Sequence, residues 1–141
     1  MNLIALITGL ALAAFAVARL RVTGFEKKKW VYPLLLASFP FYYFAFAIYA
    51  GDHSALLNEI YAGLIFIAIA YAAYKLQSKL GLILLATGYI GHAAYDVVHN
   101  HIFLNNGTPV WWPEFCGAVD VLMGLYLIYL AFSLHENKQH V

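Results

Sequence analysis

The segment from Gly91 to His101, GHAAYDVVHNH, holds the residues best suited to chemistry. His92, Asp96 and His99 fall at i, i+4 and i+7, so a helix projects all three from one face. They close an apolar run that begins at Leu80. Ionisable side chains inside such a run are costly and mark a site. Asp120 lies in the next apolar run with Gly117 and Gly124 flanking it on its helix face, and Glu59 lies near the start of an earlier run. Imidazole and carboxylate donors together suit a divalent metal, with zinc first and iron or manganese behind it. The expected metal ligands are His92, Asp96, His99 and Asp120, with Glu59 close by. A carboxylate can also orient a histidine from behind instead of binding the ion. The plainer alternative is a polar stripe that only hydrogen-bonds to neighbouring helices.

These residues need a scaffold, and the composition says which kind. The chain has 141 residues, 64% hydrophobic and 11% charged, with a mean hydropathy of +0.75. Soluble domains carry about a quarter charged residues, so this is an all-α, polytopic membrane bundle read as one domain, 1–141. A net charge of +1 with no basic aromatic patch gives no reason to expect a nucleic-acid partner. The single cysteine, Cys116, excludes an intrachain disulfide and a Cys-rich zinc site.

A spanning helix needs about 20 mostly apolar residues. Five segments qualify, at about 3–20, 30–50, 55–74, 80–102 and 112–134. Gly9, Ala13, Ala14 and Ala18 in the first suit close helix contact. Pro33 falls in the first turn of the second, and Pro40 falls inside it and predicts a kink. The aromatic residues around Pro40, from Phe39 to Phe46, read as a lipid-facing and packing surface or as a pocket wall. Glu59 early in the third span can answer the helix dipole. Trp111 and Trp112 read as interface anchors, Leu127 as lipid-facing, His101 as interfacial, and His53, His135 and His140 as solvent-exposed.

The lysines and arginines fall in the first and third loops, the C-terminal tail or the helix ends beside them. The positive-inside rule then puts the N-terminus outside and the C-terminus in the cytoplasm. At about 1.5 Å per residue, Asp120 lies level with Asp96 and His92. Glu59, His92, Asp96, His99 and Asp120 therefore share the outer half of the bundle.

Gly91-His92…Asp96…His99 followed by Trp112-Pro113…Phe115-Cys116…Asp120 resembles a family of small bacterial integral membrane proteins of unknown function. The resemblance covers the last two spans and implies only that these residues form one unit; the expected location is the cell membrane, a bacterial inner membrane. There is a fainter similarity to intramembrane zinc hydrolases of the alkaline ceramidase type, which combine His and Asp ligands among helices. This chain has five spans where those enzymes have seven, and it lacks their paired His motif on a late helix.

Three functions fit the residues. The first is a metal-dependent membrane hydrolase acting on a lipid or other apolar substrate, with the metal as Lewis acid and Glu59 or Asp120 as general base. The second is a structural or accessory subunit with a hydrogen-bonded polar core. The third is a carrier of protons or metal ions, although the polar residues stop midway. The expected partners are membrane lipids, a lipid-like substrate and a second copy of the chain.

Overall fold

The computed structural model describes residues 1–136, with side-chain surroundings as far as Ser133. His140, and the side chain of His135, lie outside what it describes. Six helices follow in order: α1 (Leu3–Val22), α2 (Val31–Ser38), α3 (Pro40–Tyr49), α4 (His53–Leu76), α5 (Lys79–Ile102) and α6 (Trp112–Glu136). A short 3-10 turn at Phe25–Lys27 follows α1, and no strand occurs among the described residues. With α2 and α3 counted together, the helices give five segments long and apolar enough to cross a membrane. Each lies close to its expected bounds. The protein is thus a multi-pass membrane protein, and its surface agrees. Phe15, Leu34, Val97 and Leu125 are exposed, whereas Glu59, His92, Asp96, His99 and Asp120 are buried.

Local chemistry fixes the helix ends. Asn2, Asp52 and Ser78 are N-caps whose side-chain oxygens accept from the backbone N–H groups of Ala55 (Asp52), Ala5 (Asn2) and Gly81 (Ser78), which satisfies donors that a helix start leaves orphaned. Gly51, at φ +67°, turns the chain between α3 and α4 in a conformation that glycine adopts without strain. The expected kink appears as a break. Pro40 has no N–H to offer the carbonyl of Leu36, and the N–H of Phe39 bonds that carbonyl at 3.3 Å instead. Phe39 therefore separates α2 from α3.

α1 packs on α6, α6 on α5, α5 on α4, and α4 on both α2 and α3. Small residues allow the tightest of these contacts. A Cβ at Gly9 would sit 2.3 Å from the Phe115 carbonyl oxygen, so α1 lies against the backbone of α6. The buried stripe of α1 is Ala5, Gly9 and Ala13. Ala14 and Ala18, expected beside Gly9, face outward, because a fourfold spacing selects positions 5, 9 and 13. Gly117 and Gly124 face α5, at Ala93 and at Ile90 with Ala86 respectively. Leu127 is fully buried, not lipid-facing.

The interior has two halves. At one end Leu36, Leu85, Ala86, Tyr89, Met123 and Leu127 form an apolar core. At the other end Tyr43, Trp112 and Cys116 pack with Phe46, Tyr95 and Phe115 around the polar groups. Trp112 is 9% exposed and belongs to this core, whereas Trp111 is 43% exposed. Trp112 turns inward because α3 meets it with Tyr42 and Phe46, at ring centroids 5.3 and 5.0 Å away.

Candidate metal centre

One seam between α5 and α6 carries the site. Along α5 it runs through Leu85, Tyr89, His92, Asp96 and His99, all buried. Along α6 it runs through Cys116, Asp120, Met123 and Leu127, also buried. The apolar members fill one half of the bundle and the polar members the other. His92 and Asp96 are four residues apart on α5, as Cys116 and Asp120 are on α6, so each pair presents two donors from adjacent turns.

His92 Nδ1 lies 2.8 Å from Asp120 Oδ2 and 3.6 Å from Asp96 Oδ2. Cys116 Sγ lies 3.9 Å from Asp120 Oδ2. One donor atom from each of the four residues falls within 4.8 Å of the other three. The Tyr43 hydroxyl, arriving from α3, donates to Asp96 Oδ1 at 2.7 Å. Asp96 Oδ2, Asp120 Oδ1 and His92 Nε2 are buried with no hydrogen-bond partner. Buried polar atoms without partners are uncommon and need an explanation.

These residues fit a metal. A tetrahedral ion with bonds of about 2.0–2.3 Å separates its ligands by about 3.4 Å, inside the 4.8 Å envelope. One imidazole, one thiol and two carboxylates are a borderline donor set that suits zinc. A cation would also give Asp96 Oδ2 the partner it lacks and offset the cost of burying two carboxyl groups in an apolar slab. The Tyr43 hydroxyl holds Asp96 from behind, as outer partners of metal ligands do. His92 Nε2 has no such support and faces aromatic rings, with Phe66 at a centroid distance of 4.7 Å.

A second polar cluster lies beside the first. Glu59 of α4 is 2% exposed. Its Oε1 lies 2.7 Å from His99 Nε2 and accepts from Asn105 Nδ2 at 2.8 Å, and its Oε2 accepts from the Tyr95 hydroxyl at 2.7 Å. A carboxylate with an imidazolium, or a carboxylic acid with an imidazole, is neutral as a pair, which lowers the cost of burial. Asn105 also donates to the Tyr43 carbonyl at 3.1 Å, so the loop after α5 is tied over this cluster. The Tyr43 ring lies 4.6 Å from the His99 ring and stands between the two groups.

Of the residues expected at the site, the structure brings His92, Asp96 and Asp120 together. It does not place His99 among them. His99 lies on the same face of α5, but one turn further along it meets α4, and Glu59 takes its Nε2. Glu59 is engaged by three side chains instead of merely answering a helix dipole. His53 and His101 are exposed. Sequence reasoning missed Cys116 and Tyr43. Cys116 had a signal, since it precedes Asp120 by four residues. Tyr43 had none, because only the packing of α3 singles it out among its aromatic neighbours.

No family model matches the chain, and neither a curated protein nor a solved structure matches it.

Proposed function

We propose that this chain is a membrane protein that holds one divalent transition-metal ion, zinc by preference, between α5 and α6 through His92, Asp96, Cys116 and Asp120. The observation that carries this reading is the convergence of four buried donor residues within 4.8 Å, whose carboxylate oxygens Asp96 Oδ2 and Asp120 Oδ1 have no hydrogen-bond partner. Four protein ligands complete a tetrahedral sphere, the arrangement of structural zinc sites. The ion fastens α5 to α6, and the Tyr43–Asp96 bond extends that fastening to α3. This favours a metal-stabilised structural or accessory subunit. The lysines and arginines at the opposite end from the site support an inner-membrane orientation with the metal in the outer half.

A second reading is a metal-dependent hydrolase acting on a lipid. The neighbouring Glu59–His99 pair favours it, since a carboxylate against an imidazole can pass protons. Glu59 is then the base, because Asp120 is a ligand.

Elemental analysis of protein purified in mild detergent tests the main reading. About one metal per chain is expected, lost in His92→Ala and Asp120→Ala and kept in His99→Ala. Loading with Co(II) should give a thiolate-to-metal charge-transfer band that Cys116→Ser removes. Substoichiometric metal in the wild type, with helices intact, would leave only the hydrogen-bonded polar core. A Co(II) spectrum of five-coordinate form would shift the balance to the hydrolase.

A further inference from the structure

The opposite end of the bundle contains a cleft of about 370 Å³ where the loop after α1, the end of α4 and the start of α5 meet. Its rim carries Lys27, Lys28, Lys29 and Lys79, and its floor is apolar, with Leu82, Leu85 and Ala131. One acidic residue, Glu26, lines it, and the Tyr126 hydroxyl donates to that carboxylate at 2.5 Å. Among the described residues, no lysine of the rim makes an ion pair. Lys29 bonds the neutral Gln77 amide at 2.5 Å, Lys28 lies 4.5 Å over the Phe25 ring, and Lys79 lies 4.1 Å over the Phe132 ring. The start of α5, capped by Ser78, adds the positive end of a 24-residue helix dipole. Tyr32, a residue 4% exposed, lines the cleft, and its buried hydroxyl, near the Glu26 carboxylate, makes no hydrogen bond.

We propose that this cleft binds the phosphate headgroup of an anionic phospholipid. The ligand must be anionic, because four rim ammonium groups face one carboxylate that is already engaged. It must carry several acceptor oxygens, because the lysines, the α5 amides and Tyr32 are all donors. It must continue into something apolar, because the floor is formed by leucines and alanine. Basic pockets between spanning helices at the headgroup level have this recognition chemistry. The site is independent of the metal centre, which lies in the other half of the bundle.

The test uses the full chain in nanodiscs of phosphatidylcholine doped with phosphatidylglycerol, with lipids retained on detergent transfer counted by native mass spectrometry. The wild type should retain phosphatidylglycerol in preference to phosphatidylcholine. Lys79→Gln should reduce that retention about fivefold, the effect of one lysine near a headgroup, and Tyr32→Phe should reduce it less. Lys75→Gln is the control: it removes one charge from the same end of the bundle, but Lys75 does not line the cleft and lies over Tyr71. Should Lys79→Gln fail to fold, Lys28→Gln on the exposed loop gives the same comparison. Equal losses in the Lys75 and cleft variants would overturn the proposal in favour of diffuse attraction. So would an absence of preference in the wild type. Thermal protection by inorganic phosphate equal to that by phosphatidylglycerol would assign the cleft to free phosphate and overturn the lipid.

Discussion

Glu59 and Asp96 are both buried carboxyl groups, yet their surroundings differ. Three side chains meet Glu59, whereas Asp96 takes one hydroxyl and leaves Oδ2 unpartnered. Glu59→Gln replaces an acceptor oxygen by a donor and opposes Tyr95, His99 or Asn105. It should cost about 1–3 kcal/mol, the penalty for unpairing a buried group, without changing metal content. Thermal unfolding beside elemental analysis separates the two effects. Tyr43→Phe keeps the ring and removes only the bond to Asp96 Oδ1. Loss of such an outer partner typically weakens metal affinity about 10–100-fold, which competition with a chromogenic chelator would measure. An unchanged affinity would mean that Asp96 needs no orientation from α3. If the site holds the proposed ion, stripping it with a chelator should lower the unfolding temperature, because a ligand at free concentration L that binds only the folded state stabilises it by RT ln(1 + L/Kd).

At the scale of the helix, the glycine contacts make a graded prediction. Gly9→Ala places a Cβ 2.3 Å from a backbone oxygen of α6, which cannot move aside as a side chain would. Gly117→Ala meets only the Ala93 carbonyl at 3.8 Å, an ordinary contact. The first should lower stability markedly and the second little, read by thermal unfolding in detergent. Gly117→Leu should disrupt folding more than an enlargement at the exposed Leu125. Leu127 is unsuitable as the comparison, because it is fully buried. The helices themselves were legible in the sequence, since apolar length fixes a span and Pro40 fixes the break. Depth was legible too: Asp120 could be placed level with His92 by counting residues. Rotation about the helix axis was not. A span that is apolar on every side carries no periodic signal for its buried face. For that reason Leu127 and Trp112 were placed on the wrong side, and Cys116 was not counted among the candidate ligands beside Asp120. His99 shared a face with His92, but a shared face does not specify which neighbouring helix each residue meets.

At the scale of the molecule, the polar site and the lysine-rich end lie at opposite ends of one bundle. A reporter fused after Val141 should be active only in the cytoplasm if the positive-inside rule governs this chain. Periplasmic activity would reverse the leaflets assigned to the metal site and the basic cleft alike. The order of packing also bears on how the protein is made. Among the described spans, α1 rests on α6 alone, so α1, which is made before α6, lacks this packing partner until α6 has been synthesised. During that interval its stripe of Ala5, Gly9 and Ala13 faces lipid. Chains interrupted before Trp112 should therefore carry an undocked α1, open to membrane proteases and to wrong partners, as transiently exposed surfaces of unfinished chains commonly are. Protection of α1 from proteolysis should then report that α6 has been inserted against Gly9.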